Sequence, residues 1–116
     1  MDHSVKPVPS VESGPNGPRL SRIALGYWRL ADWGLSPAER LSFLQRHVEL
    51  GITTVDHSPI YSDYGCEALF GEALRMQPSL RERIQVVTKC GINLLSENRP
   101  EHRVKHYDSS AKAILA

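Results

Sequence analysis

Three side chains in this 116-residue chain suit one piece of chemistry if the fold brings them together: the carboxyl of Asp56, the phenol of Tyr61 and the ammonium of Lys89. A free phenol titrates near pH ~10, too high for easy proton donation at neutral pH. An ammonium held against a phenol favours the phenolate, so the proton leaves more readily. A carboxylate beside the ammonium keeps it charged and fixed. The set would make a general acid that works near neutrality. Each member alone has an ordinary explanation. Asp56 can be a strand-end aspartate, and Tyr61 a loop aromatic with a wet hydroxyl. Lys89 is the least ordinary, because a lysine inside VVTKC is expected to be buried on at least one face, where an unpaired ammonium is costly. Tyr27, Trp28 and Trp33 form an aromatic cluster after another short apolar run. The tryptophans suit either loop anchoring or substrate contact.

The elements that must position these groups follow from local pattern. LSRIALG reads as a short strand ending at Gly26, with an aromatic loop from Tyr27 to Gly34. Ser36, Pro37 and Glu39 form a helix start, with a capping box and proline at the first helical position. Leu41, Phe43, Leu44 and Val48 supply its apolar stripe, and Gly51 ends it in the left-handed conformation that glycine enters cheaply. Ile52 to Asp56 is β-branched and short, hence a strand, and a polar loop runs from His57 to Gly65. Glu67 to Met76 reads as a helix with Leu69, Phe70, Ala73 and Leu74 inward, and Pro78 marks its exit. Ile84 to Thr88 is a third strand running into Lys89. A long polar loop then reaches Asp108, Ser109 and Ser110, which cap a last helix, AKAILA.

Strand–helix alternation calls for parallel strands joined by crossovers. It does not separate an open doubly wound sheet from a (β/α)8 barrel. In both architectures functional groups gather at the carboxyl ends of strands. Asp56 and Lys89 stand at such ends, and Tyr61 lies five residues beyond the aspartate.

Composition narrows the function classes. With 41% apolar and 23% charged residues the chain has ordinary soluble globular usage, and its length fits one domain. A net charge of +1 gives no electrostatic reason to expect nucleic acid or an anionic membrane as partner. No segment approaches the ~20 apolar residues that a membrane crossing needs. The first 18 residues hold four prolines and two glycines and lack the apolar core of a secretory signal. They are expected to be a flexible leader to a domain over 19–116. Cys66 and Cys90 lack the spacing of a disulfide framework or a redox pair, so free thiols in the reducing cytoplasm are expected. His102 and His106 have a chelating spacing, but loop features flank them and no metal site is expected.

TTVDHSPIY, then CEALFGEAL, then VVTKCG resembles the aldo-keto reductase pattern: a strand-borne Asp, a Tyr five residues on, a Glu-x-x-x-Gly helix and a strand-borne Lys. LSRIALGYWRL is similar to that family's first barrel strand and the loop after it. The likeness runs from about Leu20 to the last residue and is nearest the bacterial branch, whose members read GYWRL and VDHADIY. It implies the N-terminal part of a (β/α)8 TIM barrel, about three βα units, not closed within this chain. It further implies NADPH-dependent reduction of a small aldehyde or ketone to an alcohol. Tyr61 then matches the proton donor, Lys89 the residue that acidifies it, and Asp56 the carboxylate that pairs with Lys89 and touches the nicotinamide ribose. Tyr27 and Trp28 match the loop beside the nicotinamide, and Trp28 with Trp33 would shape the substrate pocket.

The family's fourth catalytic residue is a histidine ending the fourth strand, which is expected beyond residue 116. His57, His102 and His106 do not match it. The 116 residues alone are therefore expected to bind NADPH poorly and to turn over little. Two other readings stay open: a non-catalytic regulatory or binding module of the same fold, and an unrelated small α/β domain. Against the latter, AKAILA stops without a C-cap. The substrate's identity and the oligomeric state do not follow from the sequence.

Overall fold

The computed structural model describes residues 6–116. Three short parallel strands carry the fold: β3 (Ala24–Gly26), β4 (Thr54–Asp56) and β5 (Gln85–Val87), side by side in that order. Two other strands, β1 (Ser10–Glu12) and β2 (Arg19–Ser21), precede them as an antiparallel hairpin. Helix α1 (Pro37–Glu49) joins β3 to β4, and α2 (Cys66–Met76) joins β4 to β5. A second hairpin, β6 (Ile92–Asn93) with β7 (His106–Tyr107), follows β5 and leads into α3 (Ala111–Leu115). Among the described residues the three-stranded sheet stays open at β3 and β5.

Local chemistry explains why α1 lies where it does. The Ser36 hydroxyl accepts from Glu39 N, and the Glu39 carboxylate accepts from Ser36 N, so the capping box is complete. Helix α1 ends at Leu50 and Gly51, with Gly51 at φ +85°. A side chain there would also strike the backbone of Val8, whose N–H donates to Leu50 O at 2.8 Å. Ser36→Ala is expected to cost about 1 kcal/mol of stability, read by chemical denaturation, because it orphans Glu39 N at the helix start.

The core sits between the sheet and the two helices. Tyr27, Leu30, Leu44, Val48, Val55, Cys66, Phe70, Leu80 and Ile84 form one buried cluster. A fully buried side chain of this kind contributes about 1.5–3 kcal/mol. The helices are tied together by Arg40, buried on α1, which donates to Leu69 O and pairs with Glu72 on α2 at 3.1 Å. Register places Gly26 beside Asp56, and Asp56 beside Val87, so the three strands finish level.

Several sequence expectations shift. LSRIALG is two strands rather than one. Ser21 Oγ donates to Ile23 O and accepts from the N–H groups of Thr53 and Thr54, which diverts the chain between β2 and β3. Of the expected leader, residues 1–5 lie outside the described residues. Ser10–Glu12, inside that stretch, pairs with Arg19–Ser21 across the expected boundary. The prolines do not prevent this, because the strand itself contains none. Leu30–Trp33, read as loop, winds into a 3-10 turn, as does Pro78–Arg83 after α2. His102 lies in the loop of hairpin β6–β7 and His106 in β7 itself.

Candidate active site

At the carboxyl ends of β4 and β5 three polar groups meet. Lys89 Nζ donates to Asp56 Oδ1 at 2.9 Å, to Tyr61 Oη at 3.1 Å and to the His57 carbonyl at 2.8 Å. Parallel pairing of β4 with β5 sets Asp56 level with Val87, so Lys89, two residues further, reaches back over the strand end. All three ammonium protons are engaged, which fixes the side chain as a charge rather than leaving it as a nucleophile. The Lys89–Asp56 pair is part-exposed, at 44% and 38% of the side chains. Partial burial pulls the Lys89 pKa down, but the hydrogen bonds and charges of Asp56 and Tyr61 outweigh it and leave it above the usual lysine value.

The direction of these bonds matters chemically. Lys89 donates into a lone pair of the Tyr61 oxygen, so the Tyr61 O–H remains available to a second acceptor. The ammonium also stands 5.1 Å from the Tyr61 ring centroid. Behind the ring, the Tyr61 carbonyl accepts from Gly65 N and Cys66 N, anchoring the residue to the start of α2. Ser62, Asp63 and Tyr64 then follow with φ of 49°, 54° and 68°. A left-handed path costs about 1–2 kcal/mol per non-glycine residue, and such conformations persist only where surrounding contacts hold them.

The aromatic residues divide. Tyr27, expected beside a nicotinamide, turns its ring away from the rim. Its side chain is 1% exposed and packs into the helix layer against Phe43, Phe70 and the ring of His57. Its hydroxyl meets His47 Nε2 at 2.6 Å. His47 Nδ1 lies 2.7 Å from Ile52 O, and a carbonyl can only accept, so Nε2 is the acceptor and Tyr27 the donor. Burial raises the Tyr27 phenol well above its ordinary range, consistent with a permanent donor. Trp28 stays at the rim, 54% exposed, under the Arg29 guanidinium at 4.2 Å and folded back towards Gly26. Trp33 packs on Phe43 and Tyr27, so its contacts anchor the 3-10 turn to α1.

His57 carries a signal that the sequence reading passed over. Its carbonyl is the third acceptor of Lys89, and its ring is 1% exposed between Tyr27 and Phe70 with both nitrogens unpartnered among the described residues. Burial pushes its pKa down to about 4, with Asp56 opposing and Lys89 reinforcing the shift. Below its ordinary value of 6.5 the unfolded chain binds the proton that the folded ring refuses. Stability should therefore hold above about pH 6.5 and fall between there and about pH 4, by up to about 3 kcal/mol. His47, lowered by burial against the opposing bond to Ile52 O, adds in the same direction. His57→Phe is expected to flatten that acid limb in thermal melts followed against pH. An unchanged limb would place the sensitivity elsewhere.

Cys66 is buried and Cys90 exposed, both unpaired. No group of three or more metal-ligating side chains occurs among the described residues, and none of their helices is long and apolar enough to cross a membrane.

Comparison with known proteins bears on this geometry. The model of the aldo/keto reductase family matches residues 22–116. Over 108 residues the chain is 49% identical to Oxidoreductase YdhF of Escherichia coli K12, covering 93% of this chain and 36% of that protein. Uncharacterized oxidoreductase YcsN of Bacillus subtilis 168 is 52% identical over 98 residues, 84% of this chain and 33% of its own length. The 6-dehydroglucose reductase of Agrobacterium fabrum is 43% identical over 96 residues, 82% of this chain and 32% of its own. The chain thus spans about a third of these relatives. The crystal structure of PA4992 from Pseudomonas aeruginosa superposes with a TM-score of 0.71 at 24% identity, over 93% of this chain and 39% of that one. That likeness speaks to fold: the open sheet and its helices are the N-terminal βα units of a (β/α)8 barrel. On the family match and the two bacterial oxidoreductases near half identity, the chain belongs to the aldo/keto reductase family.

Proposed function

We propose that this chain supplies the proton-donating half of an NADPH-dependent carbonyl reductase, with Tyr61 as general acid. The observation that carries the reading is the bonding of Lys89 to both Asp56 and Tyr61 with the Tyr61 proton left available. A substrate aldehyde or ketone would accept that proton at its oxygen as its carbon gains a hydride, giving the alcohol. Lys89 stabilises the phenolate left behind, which then recovers a proton from solvent. NADPH, when bound, supplies the hydride. The residues present fit the nicotinamide end of such a cofactor. Asp56 is 38% accessible and keeps an acceptor oxygen beyond the one that Lys89 occupies, suited to a ribose hydroxyl. Trp28 offers an exposed ring at the same rim.

The test replaces the matching segment of E. coli YdhF with residues 22–116 of this chain. Carbonyl-dependent NADPH oxidation is then followed over aldehydes, ketones and 6-dehydroglucose, after which the Agrobacterium relative is named. Turnover that needs both partners is expected. A folded chimera that consumes no NADPH with any carbonyl that YdhF itself reduces would overturn the reading. The 116 residues alone are expected to give at most trace turnover, since they span about a third of the relatives' length.

A further inference from the structure

The left-handed turn over Ser62, Asp63 and Tyr64 needs something to hold it, and the holder comes from the other side of the rim. Hairpin β6–β7 leaves the sheet just beyond Lys89, through Gly91 at φ +101°. A side chain at Gly91 would crowd the Asp108 carbonyl, whose own N–H closes the hairpin base onto Gly91 O at 2.7 Å. From that base the hairpin reaches the turn at two points. Leu94 N donates to Tyr64 Oη at 2.8 Å, and Asn98 Nδ2 donates to Asp63 O at 2.9 Å. The same amide lies 3.4 Å from the Asp63 carboxylate, and the Arg99 guanidinium covers the Tyr64 ring at 4.3 Å.

These contacts close a ring. It runs from Lys89 along the chain to Leu94 and Asn98, across to Tyr64 and Asp63, back to Tyr61, and over the 3.1 Å bond to Lys89. The other end of the turn is fixed, because the Tyr61 carbonyl is held by the start of α2. Turn 62–64 carries the chain from the Tyr61 carbonyl to the Gly65 and Cys66 N–H groups that hold it, so relaxing the turn towards ordinary φ values would loosen that anchor and shift the Tyr61 side chain relative to Lys89.

We infer that Asn98 and Tyr64 are positioning residues: through the turn 62–64 the hairpin aims the Tyr61 hydroxyl at the Lys89 ammonium. The inference rests on the reductase reading for its purpose, but the coupling itself is testable without turnover. The chain carries four tyrosines. Ring-labelled tyrosine in the full chain gives separate resonances, and Tyr61→Phe identifies that of Tyr61. In Asn98→Ala and in Tyr64→Phe the Tyr61 resonance is expected to shift and broaden, with that of core-buried Tyr27 unmoved. Asn98→Gln, which keeps the amide donor, should restore it at least in part.

In the YdhF chimera, Asn98→Ala should lower kcat about tenfold to a hundredfold with the KM for NADPH unchanged, the signature of a misaimed group. A Tyr61 resonance indifferent to both substitutions overturns the inference. So does a shift shared equally by Tyr27, which would make the hairpin a general support of the fold. If the unsubstituted chimera is inactive, the reductase reading fails while the resonances still decide the coupling.

Discussion

Replacing Tyr61 with phenylalanine is expected to lower carbonyl reduction by between ~10²-fold and ~10⁴-fold, the range that a positioned general acid contributes. The substitution removes one oxygen and little else. The ring keeps its place beside α2, because the anchor there is the backbone carbonyl. Lys89 retains two of its three acceptors, Asp56 and the His57 carbonyl. NADPH affinity, measured by quenching of intrinsic fluorescence, should therefore change little while kcat collapses. That split separates loss of a proton donor from loss of a binding surface. Activity within a few-fold of the unsubstituted protein would remove Tyr61 from the role, however well the distances suit it.

The parts of this fold that the sequence discloses are those decided within a few residues. The start of α1 is an exchange of two hydrogen bonds between Ser36 and Glu39, three positions apart, and its end is one glycine. The convergence of Asp56 and Lys89 involves partners 33 residues apart, yet it was legible, because strand–helix alternation sets strand ends level. Tyr61 follows because five residues of loop can bring a phenol back over the strand that it left.

What stayed hidden depends on partners that no periodicity reveals. Tyr27 sits at a strand end among aromatics, which reads as rim. What turns its ring inward is His47, 20 residues on, which accepts from its hydroxyl beneath α1. His57 looks like loop, and only the packing of Tyr27 and Phe70 makes it core. Hairpin β6–β7 pairs two residues with two others, too short for alternation to register. The turn over 62–64 contains no glycine, so the cue that usually marks positive φ is missing. Its conformation is imposed from residues 30 and more positions away.

Lys89→Met should produce a large functional effect with a small structural one. Removing the ammonium takes away the charge that steadies the phenolate after proton transfer, and losing a preorganised donor of this kind costs about 10²–10³ in kcat. Stability is another matter. The Lys89–Asp56 pair is part-exposed, and pairs in contact with water contribute about 0–1 kcal/mol. The thermal midpoint should hence move little, although Asp56 Oδ1 and the His57 carbonyl lose a donor, because both can turn to solvent. Arginine should not rescue. Its planar fork cannot aim three protons at acceptors that surround one point, as the Lys89 ammonium does. The raised Lys89 pKa carries a further consequence. Lysine titrates near ~10.4 unperturbed, so Lys89 stays charged throughout the neutral range, and changes in turnover there must come from other groups. A Lys89→Met protein that keeps its kcat would show that the ammonium only ties β4 to β5. The short distances would then describe a structural ion pair with a phenol beside it.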